Sequence, residues 1–359
     1  MAVYEKLEAK PAPSTIQGPI LWIRENLFPS ITSSILTLLS LYFLYLILPP
    51  LFNWMIFDAT WSGTKDQITN DGARWIFIYE KFNQFVYGFY PSDLYWRPNL
   101  ILGYFIASIV IFKTVKDIKI RAALFLFFPI ISFVLLYGGL GLEVVPTSKW
   151  GGLLLTMVVA SVGIVVSFPI GIIFALGRQS NMPIIKTFSI LYIEFIRGVP
   201  LITLLFMASV ILPLFFPEGM DFDKLLRALI GVTLFQAAYI AEVVRGGLQA
   251  IPKSQYEAAD SIGLSYWQSM GLVILPQALK ISIPNIVGSF VALFKDTTLI
   301  LIIGLFDVLA MVTLTTSDPE WLGFETEGYV FVTIIYWIIC FSMSKYAQAV
   351  ENRFNTNHK

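Results

Sequence analysis

Residues 254–276 read SQYEAADSIGLSYWQSMGLVILP, a polar and small-residue interruption in an otherwise oily chain. Ser254 and Glu257 stand in S-x-x-E spacing. A serine hydroxyl there takes the amide three residues on, and the glutamate carboxylate returns to the serine amide, so the spacing predicts a capped helix start. Ala258 and Ala259 favour helix and carry minimal side chains. Gly263 suits the left-handed residue that stops a helix. Ser265 and Gln268 repeat the box as S-x-x-Q, and the helix they open is expected to run to Leu275, where Pro276 disturbs it. The stretch reads as helix, glycine bend, helix. Its first helix is too short and too polar to cross a bilayer, so it is expected to lie along the membrane surface. Small side chains let another protein's backbone approach, which suits a lever. An ordinary connecting loop with two good caps fits the same residues.

The flanking chain is a membrane protein by composition. Of 359 residues, 57% are hydrophobic and 13% charged, with mean hydropathy +0.74; soluble domains carry about 25% charge. Apolar runs predict eight spans, at 31–51, 99–112, 122–140, 152–176, 190–216, 228–248, 281–305 and 328–347. With the N-terminus inside, the outer segments are 52–98, 141–151, 217–227 and 306–327. Sixteen of the 24 Lys and Arg then fall in inner segments or adjoining helix ends, among them Lys113, Lys116, Lys119 and Arg121. Seven fall outside (Lys65, Arg74, Lys81, Arg97, Lys149, Lys224 and Arg227), and Lys295 lies within a span. That excess puts both termini on the cytoplasmic side of the membrane. Trp54, Trp61, Trp75, Trp96, Trp150 and Trp321 fall near the outer interface, as an aromatic belt would.

Other classes lose ground. The formal net charge is zero, which gives nucleic acid no attraction. Cys340 is the one cysteine and sits in an apolar run, and His358 is the one histidine and sits beside the C-terminus. No histidine-based metal site or Ser-His triad is expected. The first thirty residues, with Glu5, Lys6, Lys10, Pro11, Pro13 and Arg24, carry no apolar stretch before a cleavage site, so no cleaved signal peptide is expected. No G-x-x-x-x-G-K-[ST] phosphate loop is present, so the chain is not expected to be an ATP-hydrolysing enzyme by that route. The chain divides near 145. Residues 1–145 form an extension with three spans and an outer loop, 52–98, large enough for a small cap. Residues 146–350 hold five spans and an inner loop at 249–280, and 351–359 form a tail.

The opening stretch resembles the EAA loop of ATP-binding-cassette importer permeases: E-A-A, three residues, Gly, nine residues, I-x-L-P. Glu257, Ala258, Ala259 and Gly263 match; nine residues on, Val273, Ile274, Leu275 and Pro276 follow, with Val273 for Ile the one departure. LYIEFIRGVPLI (191–202), AEVVRGGL (241–248), LPQALKISIPNIVGSF (275–290) and LFKDTTLI (293–300) look like the polar amino-acid branch of these permeases. The three added spans look like the larger permease subunit of general L-amino-acid or glutamate/aspartate importers. The resemblance implies an all-α polytopic membrane protein of about eight helices: a type I importer core of five helices with three more before it. It implies that Ser254 to Leu264, with Leu275 and Pro276, dock on an ATPase. The implied partners are a homologous permease forming a heterodimer, two ATPase subunits that carry ATP and Mg²⁺, a periplasmic amino-acid-binding protein and membrane lipid. The implied location is the bacterial inner membrane, with no cofactor on this chain.

The charges within spans complete the candidate site. Glu194 and Arg197 stand i, i+3 before Gly198, and Glu242 and Arg245 stand likewise before Gly246, both at inner helix ends. An opposite charge at that spacing offsets partial desolvation. These pairs serve either as structural ties or in an inner gate. Lys295 lies 11 residues beyond Pro284, roughly 16 Å along a helix and near mid-membrane. Each charge there costs about 2.5–3.5 kcal/mol, so Lys295 and Asp296 need partners or a watery cavity. An amino-acid zwitterion could supply them, but adjacent residues point about 100° apart on a helix. A pair bonded to neighbouring helices at the subunit interface fits Lys295 and Asp296 as well; for contact with the pathway, Asp296 and Thr298 are stronger candidates than Lys295. Asp318, Glu320, Glu325 and Glu327 make the last outer loop acidic; it could meet a binding protein, and an ordinary solvated acidic loop fits the same residues. The alternative function is an ion- or proton-coupled secondary amino-acid transporter with its site at Asp296. A polytopic membrane enzyme would need a catalytic cluster that the sequence does not offer.

Overall fold

The computed structural model describes residues 18–62, 72–115, 117–215, 217 and 222–355. Glu5, Lys6, Lys10, Lys65, Lys116 and His358 lie outside the described residues. The chain packs as two units, up to Ile76 and from Phe77 onward. The first unit contains α1 (Pro19–Leu27) and α2 (Ile31–Phe52), which runs on as a π turn to Phe57. No residue of α2 is buried, as suits a helix solvated by lipid.

The second unit begins within α3 (Ile76–Tyr87) and continues through α4 (Trp96–Thr114), α5 (Ile118–Tyr137), α6 (Gly152–Gln179), α7 (Pro183–Gly198) and α8 (Leu201–Val210). After these come α9 (Lys224–Gln249), the short α10 (Lys253–Ser261), α11 (Tyr266–Gln268), α12 (Leu275–Asp296), α13 (Val308–Thr316) and α14 (Glu325–Asn355). Seven helical segments among the described residues are long and apolar enough to cross a membrane, and the bent pair α7–α8 makes an eighth. The expected count of about eight holds.

The centre of the second unit is α9, packed between α6 and α12. Close approach there rests on small residues, because helices in lipid gain most from direct backbone packing. A Cβ on Gly171 of α6 would stand 2.6 Å from Ile240 of α9, and one on Gly247 of α9 would stand 2.5 Å from the Ala278 carbonyl of α12. The Ser282 hydroxyl of α12 donates to the Val243 carbonyl at 3.2 Å and closes the same seam. Ile193, Ile240, Ala241, Val244, Ile274 and Ala278 fill the core there.

Four expectations change. The span at 190–216 is two helices bent by 104°. Pro200 is the cause: the residue before a proline is pushed out of the α region, and Val199 is extended at φ −112°, ψ 135°. The span expected at 281–305 belongs to one helical run from Tyr266 to Ile303, so much of the loop expected at 249–280 is helix. The outer segment 306–327 contains α13. Trp150 and Trp321 are buried in the protein and do not belong to an interfacial belt; Trp321 packs on Phe77 at 5.2 Å between ring centres.

Candidate functional site

α10 is held as a bent lever, by means that differ from those the sequence suggests. The first capping box does not form. Pro252 is extended at φ −60°, ψ 144° and opens the helix, so Lys253 and Ser254 are already helical and Ser254 is too late to cap. A proline fits this edge because it has no amide to leave unpaired. The helix stops as expected at Gly263, whose φ is +78°. Gly263 donates to the Asp260 carbonyl at 2.9 Å and Leu264 donates to the Ala259 carbonyl at 3.2 Å, the paired bonds of a Schellman stop. The second box does form: Gln268 Oε1 accepts from the Ser265 amide at 3.0 Å.

Pro276 does not end the helix that follows. Ser269–Ile274 form a π turn, and α12 continues from Leu275 with Pro276 in its first turn. A proline inside an α-helix loses its own amide bond and crowds the carbonyl four residues back. The wider π turn ahead of it accommodates both. Gln277, which sequence reasoning missed, ties the parts together. Its Nε2 donates to the Val273 carbonyl at 2.9 Å and to Gln255 Oε1 of α10 at 3.2 Å. The EAA alanines face opposite ways: Ala259 is buried, while Ala258 is exposed beside Ser254 and Glu257. Ile262, at 74% exposure, and Trp267, at 70%, stand beside them as uncovered apolar side chains. Burial pushes the Tyr256 phenol above its ordinary pKa, with the neighbouring Tyr266 adding to the rise.

On the side where α6 and α9 end, five charged residues gather. Glu242 and Arg245 pair as expected, Arg245 Nε donating to Glu242 Oε2 at 2.9 Å. Glu194 and Arg197 do not pair with each other among the described residues. Glu194 takes Arg178 from the end of α6 at 2.8 Å, and Arg178 also reaches Glu242 at 3.5 Å. Arg197 lies 3.9 Å from Glu242 and over the Tyr239 ring at 5.6 Å. Arg178 carried no motif and was missed. The result is a clasp of three arginines and two glutamates across α6, α7 and α9.

Towards the other side, α12 gives way to a 3₁₀ turn, Thr297–Ile303. At about 2.0 Å per residue, those seven residues put Lys295 and Asp296 roughly half-way through a hydrocarbon layer of about 30 Å. Lys295 is exposed, Asp296 and Thr298 are half-buried, and the Thr298 hydroxyl donates to the Lys295 carbonyl at 3.0 Å. The structure thus separates the two charges, as their adjacency requires. A second acid was missed. Asp307 is fully buried and caps α13 by accepting from the Ala310 amide at 2.9 Å. The Tyr336 hydroxyl of α14 donates to its other oxygen at 3.3 Å and lies 3.3 Å from the Thr297 hydroxyl. Burial pushes the Asp307 carboxyl above its ordinary pKa, and bonds from the Ala310 and Leu309 amides and from Tyr336 oppose that rise. In the acidic loop, Asp318 and Glu320 are exposed, whereas Glu327 is buried within this chain.

Residues 167–356 match the family described as binding-protein-dependent transport system inner membrane component. Over 97% of its length the chain is 54% identical to an inner-membrane amino-acid ABC transporter permease of Escherichia coli, of which it covers 96%. The chain belongs to the permease subunits of amino-acid ATP-binding-cassette transporters. It is also 39% identical to a glutamate/glutamine/aspartate/asparagine transport system permease of Rhodobacter capsulatus, over 99% of this chain and 98% of that one. In the crystal structure of an amino acid ABC transporter with histidines, one chain superposes with a TM-score of 0.50 at 28% identity. That match takes in 56% of this chain and 92% of the other. A self-sufficient secondary transporter is not favoured by these relatives.

Proposed function

We propose that this permease pairs with a homologous second permease as a heterodimer, and that two ATPase subunits dock on the paired α10 levers. ATP and Mg²⁺ bind those subunits. A periplasmic binding protein delivers the amino acid, and the complex sits in the bacterial inner membrane with both termini of this chain in the cytoplasm. The 16 to seven division of Lys and Arg supports that orientation.

The observation that carries the reading is α10 itself: short, exposed, stopped by Gly263 and tied through Gln255 and Gln277 to the base of a spanning helix. Ser254, Glu257 and Ala258 form its docking face, while Ala259, Gly263, Leu275 and Pro276 hold its shape. Nucleotide binding draws the ATPases together and moves the levers, and the Gln277 tie passes that movement to α12. Glu194, Arg197, Glu242 and Arg245 serve the inner gate, with Arg178 as their link to α6. Asp296 and Thr298 contact the passing amino acid, and Lys295 contributes charge nearby. Asp318 and Glu320 meet the binding protein.

The test is co-purification from cells expressing the chain with its genomic neighbours, followed by uptake in proteoliposomes with each candidate amino acid. An ATPase retained on the complex, and loss of ATP-driven uptake in Gly263→Pro, are expected. A complex that never retains an ATPase, or a Gly263→Pro variant with intact uptake, overturns the coupling role.

A further inference from the structure

Two cavities meet where α5 and the α5–α6 connection pack against α6 and α9. The first, about 480 Å³, is polar. Thr147, Ser148 and Trp150 of the α5–α6 connection wall one side, and Asp223, Lys224 and Arg227 at the start of α9 wall the other. The second, about 620 Å³, is apolar and runs between α5 (Pro129 to Tyr137), α6 (Val158 to Val162) and α9 (Leu225 to Leu229). They share three lining residues, Thr147, Trp150 and Asp223. Of α5 only the last turns, and of α9 only the first, line the apolar cavity, so it lies within one leaflet, beside the polar one. Solvent of that depth is hydrocarbon.

The polar cavity has spare bonding capacity of both signs. Asp223 accepts from the Leu226 amide at 2.9 Å and from the Thr147 hydroxyl. A carboxylate offers about four acceptor positions, so it can take a further donor such as an ammonium. Arg227 lines the cavity and gives one Nη1 bond to the Ser209 carbonyl. A guanidinium has five donors suited to planar, bidentate recognition of phosphate. Lys224 is exposed at the mouth. An acid flanked by two bases, beside an acyl-sized apolar cavity, matches an amphiphile with a phosphate and an ammonium on one head.

We infer that the paired cavities hold one phospholipid with a phosphate–ammonium headgroup. Its phosphate lies against Lys224 and Arg227, its ammonium against Asp223, and one acyl chain fills the space between α5, α6 and α9. The lipid fastens α5 and the α5–α6 connection to the start of α9, beside the Thr147–Asp223 bond. The solved amino-acid transporter chain aligns with only 56% of this one, which is why its resemblance gives no indication of the site. The inference does not depend on which side of the membrane is outside, nor on the docking of an ATPase.

The test uses the whole complex, purified in mild detergent, delipidated and returned to nanodiscs of phosphatidylethanolamine, phosphatidylcholine or phosphatidylglycerol. Native mass spectrometry should find phosphatidylethanolamine retained on the unmodified complex. Lys224→Glu should lower that retention about fivefold or more, since one basic residue near a membrane surface is worth about 1 kcal/mol. Phosphatidylethanolamine should raise the melting temperature more than the trimethylated or anionic lipid does. Leu229→Trp, which fills the apolar cavity, should abolish retention. Should that variant fail to assemble, a photoactivatable acyl chain on the unmodified complex should label peptides 129–137 or 225–229. Retention indifferent to both substitutions and to headgroup overturns the proposal, as does labelling confined to other helices. A Lys224-dependent rise in melting temperature caused by free amino acid and not by lipid also overturns it, and would make the polar cavity a substrate site. Uptake and ATPase retention, measured alongside, report separately on the permease reading.

Discussion

Gly263→Ala isolates what the bend after α10 contributes. At φ +78° an L-residue bears a left-handed penalty of about 1–2 kcal/mol, and none of the described residues lies within 4 Å of a Cβ placed there. The cost is therefore backbone conformation and not a clash. Alanine also narrows the competing, unbent ensemble, which returns about 0.4–1 kcal/mol. A net cost of about 1 kcal/mol lowers the bent population roughly fivefold, because about 1.4 kcal/mol is tenfold. Asparagine tolerates the left-handed region far better, so Gly263→Asn should fall within about twofold of the natural residue on the same scale. The assay is uptake per ATP hydrolysed in proteoliposomes, with complex assembly checked by size-exclusion chromatography. Ala well below Asn, and Asn close to Gly, is the expected order. Equal activity in all three would mean that packing by Ala259 and Gln255 imposes the bend unaided. Asn as damaging as Ala, or worse, would mean that the position rejects side-chain volume. Since none of the described residues fills that volume, the obstruction would then belong to a docked subunit.

Gln277→Ala removes both the tie to α10 and the bond to the Val273 carbonyl; ATP hydrolysis should continue while uptake per ATP falls, and equal falls in both would refute a transmitting role. Glu242→Gln leaves Arg178, Arg197 and Arg245 with one carboxylate among them. The pairs are 22–56% exposed, so solvent screening holds the loss to about 1 kcal/mol, seen as a melting-temperature drop of about 2–4 °C; an unchanged melting temperature would show that the clasp does not hold the helix ends. Asp307 binds its proton more tightly folded than unfolded, so its contribution is complete below the ordinary value of 3.8 and is lost as pH rises through the raised, folded value. Asp307→Asn should keep the cap and flatten the melting-temperature profile across that acid window, whereas Asp307→Ala should lose about 1 kcal/mol of capping at every pH; a slope unchanged by Asn would show that another group titrates there.

The boundary between what was legible in the sequence and what was not follows the range of the forces involved. Gly263 could be read because a left-handed stop is a property of one residue. The spans could be read because hydropathy over about 20 residues is a local sum. The charged clasp could be read only in part. The i, i+3 spacing of Glu242 and Arg245 is local and correct, but the same spacing in Glu194 and Arg197 lost to a tertiary competitor. Arg178 reaches Glu194 from another helix, and a sequence signal for it would have to be any arginine at the same depth. The prolines show the same limit from the other direction. Pro200 and Pro276 carry the same local prohibition, yet one bends its helix by 104° and the other is absorbed by a π turn. The difference lies in the neighbours. Ile274 and Ala278, either side of Pro276, are buried, and Ser282 and Gly247 lock the helix that follows against α9. The chain there had to continue straight and widen locally. Around Pro200, Ile196 of α7 and Leu201 and Leu205 of α8 are buried with the two halves out of line, while Phe195, Ile202 and Phe206 are exposed, so the core there is filled by the bent arrangement. A proline therefore reports where a helix must yield, and the packing around it decides whether it yields by bending or by widening. The widened turn sits directly between α10 and α12, so under the proposed coupling a bend there would interrupt the path from one to the other.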